Sequence, residues 1–172
     1  MQFRKNGETL LEFIALDPFL AELIKQIPSA ADPRGETPAT SRLYSCPIDP
    51  ALSMDPGTES LKKDWEDFVV PELKVQFGSA VAQVQHDIQE YLCEGDGDDD
   101  DFPYRLQIPM EHVDAWLSAL NQARLVLAAR FAFTEEELSR PFQSKLTSLR
   151  DLALYQISIY AFLQELIISG LK

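Results

Sequence analysis

"VDAWLSALNQARLVLAAR", residues 113–130, has the composition of a strong helix and one residue out of place. At about 100° per residue, Val113, Trp116, Leu117, Leu120, Leu127 and Phe131 gather on one side. Arg124 falls between Leu117 and Leu120 in angle. Asn121 lies at the edge of the same face, and Arg130 at the opposite edge beside Trp116 and Ala123. A solvated arginine belongs on the far side, with Ser118 and Gln122. A guanidinium cannot escape burial by losing its proton. Once enclosed it must be paired and its donors satisfied, and breaking such a pair from one side costs about 3–5 kcal/mol. The sequence therefore predicts an oxygen acceptor from another segment. Glu165 is the first candidate, because it lies in the most apolar helix; Glu12, Glu66 and Glu72 are alternatives, and Gln164 can add an amide oxygen.

Three readings of Arg124 stand side by side. In the first, Arg124, Glu165 and Gln164 form a structural buried-charge network that fixes helix register. In the second, Arg124, Asn121 and Arg130 hold a carboxylate or phosphate, as arginine forks do. In the third, the side chain runs along the apolar face out to solvent.

Around this helix the chain divides clearly. Asn6-Gly7 between QFRK and ETLLEFIAL predicts a β-hairpin over residues 2–16. Asp17-Pro18 opens a helix, with Asp17 as cap and Pro18 at its first position. Phe19, Leu20, Leu23, Ile24 and Ile27 are its expected buried side, and Pro28 its expected end. Prolines at 28, 33, 38, 47, 50 and 56 make residues 28–57 an irregular, Pro-rich segment that no regular helix should cross. Helix resumes near Thr58, with Leu61, Trp65, Phe68 and Val69 at helical spacing. Pro71 kinks or divides it before a second part that runs to Leu92. Residues 94–101, EGDGDDDD, lack the order of a calcium-binding loop and read as a solvated acidic loop. YRLQI, residues 104–108, reads as a third short strand. Thr134 with Glu137 makes a capping box. The last helix, about Gln143 to Ser169, is apolar almost all round, with a narrow stripe of Asp151, Ser158 and Glu165. Such a helix is central to its bundle or lies in a subunit interface. The expected fold is mainly α: a single domain over 1–172, a bundle of about five helices with a small N-terminal hairpin.

Composition limits function. The net charge of -13 repels phosphate backbones, and the 15 basic residues form no patch, so nucleic acid is disfavoured and a basic partner favoured. Glu8 and Glu12 interrupt any signal-peptide core. Gln156, Gln164 and Glu165 argue against the last helix as a membrane span. A soluble, cytoplasmic protein with reduced Cys46 and Cys93 is the expectation. No nucleophile elbow, Walker loop, zinc-protease motif or dinucleotide fingerprint is present. No catalytic residue, metal site or cofactor is therefore assigned. His86 and Glu90, with Cys93 two turns on from His86, are too few for a metal centre, and His112 is expected half-exposed in the first turn of its helix.

The run Trp116-Leu117, Leu120-Asn121, Arg124-Leu125, Leu127 and Arg130 resembles a family of bacterial domains of unknown function, found in actinobacteria beside the gene for the protease adaptor ClpS. Tyr160 to Glu165 and the hairpin leading into Asp17-Pro18 are similar too. Ala129 and Phe131 depart from the family pattern, where Gly and Leu are usual. The resemblance implies an architecture and no catalytic residue. The expected function is a non-enzymatic interaction or regulatory module with a link to proteolysis. Its expected partner is another protein, or a second copy in a homodimer formed through the C-terminal helix. The alternatives are a small-anion binder or enzyme using the Arg/Asn pocket, and a transcriptional regulator, which the net charge disfavours.

Overall fold

The computed structural model describes residues 1–48, 56–94, 103–139 and 146–171. The chain opens as the expected hairpin, β1 (Gln2–Asn6) and β2 (Leu10–Leu16), with Gly7 in the left-handed region (φ 67°) that the turn requires. The predicted third strand is β4 (Tyr104–Pro109), antiparallel to β2 with Leu11 opposite Ile108. A fourth strand, β3 (Leu92–Glu94), completes the order β1-β2-β4-β3. The sequence places helix as far as Leu92; the pairing of Leu92 with Leu106 turns that end into a strand. A register shift between Phe13 and Leu16 coincides with Ala15 at φ 54°. This bulge lets Phe13 and Leu16 both reach the core. Glu94 ends β3, and the rest of the expected acidic loop lies outside the described residues.

Asp17 caps α1 (Pro18–Lys25) as expected, its Oδ1 accepting from the Leu20 N–H at 2.8 Å. Two expectations fail here. Phe19 is exposed and stacks on Tyr155, and Pro28 begins rather than ends a helix: it lies in the first turn of α2 (Ile27–Ala31). The Pro-rich segment is likewise not wholly irregular. Pro38 sits in the first turn of α3 (Thr37–Leu43), where its missing N–H costs nothing, and the next five residues are free to coil. Ala39 and Leu43 then bury against Val126.

The helix expected near Thr58 is α4 (Pro56–Asp64). A π-turn over Trp65–Val69 joins it to α5 (Val70–Tyr91). Pro71 falls in the first turn of α5, so the wider turn accommodates the ring and the chain continues without a sharp break. Leu61 and Phe68, which keep the expected helical spacing, are exposed.

After a 3-10 turn at Met110–His112 comes α6 (Val113–Arg130), the quoted helix. It packs against α2, α3, α5 and α8 (Leu149–Gly170) at once, so α6 and not the last helix is the hub of the bundle. Trp116, Leu120, Ala123, Leu127, Tyr160, Leu163 and Ile167 share one core with β2, β4, α1 and α2. The capping box at Thr134 and Glu137 opens α7 (Glu135–Ser139). In α8, Gly170 permits close approach to the sheet: an added Cβ would meet Phe3 Cζ at 2.8 Å. Tyr160 donates to the Leu23 carbonyl at 2.9 Å, and Gln156 to Gln26 Oε1 at 2.7 Å.

Candidate functional site

Arg124 does find an oxygen from another segment. Its Nη1 donates to Gln164 Oε1 at 2.6 Å, and Gln164 Nε2 in turn donates to the Leu117 carbonyl at 3.0 Å. The amide of α8 thereby bridges the side chain and the backbone of α6. Glu165, expected as the acid partner, is exposed. One residue is a rotation of about 100° on a helix, which puts position 164 on the α6 seam and position 165 outside it. Arg124 is half-buried, and its Nε is enclosed with no partner.

The other two residues of the expected anion pocket lie elsewhere. Asn121 is exposed. Arg130 is held by Glu36, whose carboxylate oxygens accept from Nε at 2.9 and 3.2 Å, and by the Asp32 carbonyl at 3.1 Å from Nη2. Arg130 does line a cavity of about 180 Å³, with Arg34, Gln26 and Gln156; neither Arg124 nor Asn121 borders it. His86, Glu90 and Cys93 are all exposed, and no three metal-ligating side chains gather among the described residues.

Two buried carboxylates escape sequence reasoning. Glu12, an alternative partner for Arg124 in the sequence reading, is 1% exposed on β2. It accepts instead from Arg4 Nε and from Gln107 Nε2, the latter at 2.7 Å. Burial raises its carboxyl, but the hydrogen bonds from Arg4 and Gln107 and the Arg4 charge outweigh that, and it is held below the usual glutamate value.

Asp87 on α5 is fully buried. Trp116 Nε1 donates to Oδ2 at 2.8 Å, Gln83 Nε2 to Oδ1 at 2.9 Å, and His112 Nδ1 lies 3.0 and 3.1 Å from the two oxygens. Indole and amide N–H groups can only donate, so Asp87 presents acceptors all round. His112 therefore turns a proton on Nδ1 toward the carboxylate, and its Nε2 lies 3.8 Å from Glu111 Oε1 on the outer side. That ring borders a cleft of about 360 Å³ between α5 and the start of α6, shared with Ser79, Gln83, Glu111, Asp114 and Ser118. The sequence carried a weak signal for this constellation: His112 and Trp116 are four apart, hence on one helical face. It gave no indication that Asp87 faces them.

The model of one protein family, described as Domain of unknown function (DUF2017), matches residues 8–171. No curated protein and no solved structure matches the chain.

Proposed function

The chain belongs to DUF2017, a family whose description brings no activity with it, and we propose from its surface that it is a non-enzymatic interaction module, cytoplasmic, which self-associates through the outer face of α8. One observation carries this reading. Helix α8 is long and apolar enough, by length and composition, to cross a membrane, yet only 33% of its most apolar stretch is buried inside the fold. Phe162 and Ile168 are exposed on it and Leu171 just past its end, to either side of the polar stripe of Asp151, Ser158 and Glu165, and the exposed Phe19 of α1 stacks beside it on Tyr155. Exposed apolar side chains of this size favour a cover. A second copy supplies one of matching character, because a two-fold contact sets the same patch against itself.

A lipid cover is disfavoured. Withdrawing α8 into a bilayer would break the bonds of Gln156 to Gln26, Tyr160 to Leu23 and Gln164 to Leu117, and stranded polar groups are expensive there. Size-exclusion chromatography with light scattering tests the proposal. The expected result is a dimer that Phe162→Glu converts to a monomer with an unchanged circular dichroism spectrum. A monomeric parent protein rejects it.

Arg34 and Arg130 in their small cavity favour a second reading, a small-anion site. It ranks below the first because Glu36 already occupies Arg130. A link to proteolysis rests on the family resemblance alone, and a DNA-binding role is opposed by the net charge of -13.

A further inference from the structure

The chain carries a net charge of -13, yet one cavity has walls of the opposite sign. It is the small cavity of about 180 Å³ among α2, the end of α6 and the first two turns of α8. Arg34 and Arg130 border it, and no carboxylate side chain does. Arg130 is engaged on one edge only. Its Nε is taken by Glu36 and its Nη2 by the Asp32 carbonyl, and among the described residues its Nη1 has no partner. The Arg34 guanidinium has none there either; only its backbone N–H is bonded, to Asp32 Oδ1 at 2.8 Å. Gln156, 6% exposed, donates to Gln26 Oε1, which leaves the Gln26 amide N–H groups as the free end at the same wall.

The rest of the lining is apolar. Leu127 and Ala153 are buried, and Phe131 and Leu152 are half-buried. Leu149, also on the lining, is 77% exposed, more than any other large hydrophobic side chain among the described residues. Unsatisfied guanidinium donors and an uncovered leucine border one space, and an amphipathic anion satisfies both.

We propose that this cavity binds a small carboxylic acid with a short branched apolar tail. The proposal rests on the small-anion reading of the cavity and names the class of anion. The carboxylate accepts from Arg34, from the free edge of Arg130 and from Gln26, since guanidinium forks match carboxylate geometry. The tail lies against Leu127, Phe131 and Leu152 and covers Leu149. At about 30 Å³ per water-sized group, the cavity holds about six, which suits a tail of about four carbons with the carboxylate at the mouth. Phosphate fits less well: it makes no use of the apolar wall, and its second charge adds to the repulsion from the acidic chain. The carboxylate can belong to a free short-chain acid or to the C-terminus of a peptide that ends in an aliphatic residue.

Nuclear magnetic resonance of the full-length ¹⁵N-labelled protein tests this at constant ionic strength. Five probes are titrated: isovalerate; acetyl-leucine, which mimics a peptide C-terminus; isovaleramide, which has the shape of the first without its charge; acetate; and inorganic phosphate. Isovalerate and acetyl-leucine should shift amide signals at residues 26–34, 127–131 and 149–156, and isovaleramide should not. Tighter binding of acetyl-leucine points to a peptide C-terminus, and tighter binding of isovalerate to a free acid. Arg34→Gln, at an exposed position, should weaken isovalerate binding about ten-fold without altering the thermal midpoint. Leu149→Ala should weaken it about three-fold and leave acetate unaffected. The proposal is overturned if isovaleramide binds as well as isovalerate or if Arg34→Gln binds it unchanged. Acetate and phosphate binding as tightly as isovalerate would overturn the apolar tail while the small-anion reading survives; no shift with any of the four anions would remove both. Phe162 lies toward the other end of α8, so the Phe162→Glu variant should bind isovalerate as the parent does, and the dimer test is separate.

Discussion

Asp87 and Arg124 are both drawn in against α6, and the fold treats them differently. Asp87 is fully enclosed, and each oxygen receives at least one N–H: one from Trp116, one from Gln83, and one from His112 shared between the two. Arg124 is half-buried, shares one amide oxygen, and keeps an enclosed Nε without a partner. The difference follows from what each can do with water. A carboxylate at zero exposure has only protein to satisfy it, so every acceptor site needs a donor. The guanidinium sits at the end of a flexible stem and can leave part of its fork wet. Conspicuousness in the sequence and structural weight are therefore inverted. The arginine on the apolar face stands out, while the aspartate among His86, Gln89 and Glu90 passes for one more solvated residue.

The sharpest way to break this comparison is to remove Asp87. Asp87→Ala strands the Trp116 indole N–H and leaves His112 without its counter-group. We expect a loss of about 3–5 kcal/mol, as for other buried charges deprived of a partner, read from urea unfolding. A loss below about 1 kcal/mol, the scale of one ordinary hydrogen bond, would mean that water enters and replaces the carboxylate.

Glu12 extends the comparison to the sheet, with a smaller effect. Its partner Arg4 is exposed on the edge strand β1, so solvent screens part of the pairing. Glu12→Gln should cost about 1–3 kcal/mol at neutral pH. The pH dependence has a definite sign. The folded-state carboxyl is held below its ordinary value, so its contribution is complete above the unfolded-state value of about 4.3 and disappears as pH falls through the folded value. Parent and variant should thus converge in stability below about pH 4. A gap that persists or widens in acid would show that packing, and not charge, carries the effect.

How much of this was legible depends on whether the cause is local. Asn6-Gly7, Asp17-Pro18 and the box of Thr134 and Glu137 each specify their turn or cap within a few residues, and the structure has all three. Strand β3 exists only because β4 lies beside it. Helix α3 depends on Val126 to bury Ala39 and Leu43, which no local pattern records. Phe19 has the right helical phase for burial and stays outside because Tyr155 offers it a stacking surface on another helix. The cleft was the least legible part. Its two walls are α5 and the start of α6, and only the packed bundle sets Asp87 opposite His112 and Trp116.

Arg124→Met is the smallest expected change and the one that bears most directly on the quoted helix. If the guanidinium were a fully enclosed staple, removing it would cost as much as removing Asp87. Here the variant frees Gln164 Oε1 but leaves the Gln164 bond to the Leu117 carbonyl in place. It also removes a donor that has no partner, and methionine fills much of the same seam. The net change should fall within about 1 kcal/mol of zero. Gln164→Leu is the informative companion, because it cuts both bonds of the bridge at once and strands Arg124 Nη1; it should be the more destabilising of the two in the same urea series. If Arg124→Met instead costs several kcal/mol while Gln164→Leu costs little, the guanidinium has acceptors other than Gln164, and the inversion between the two charges is lost.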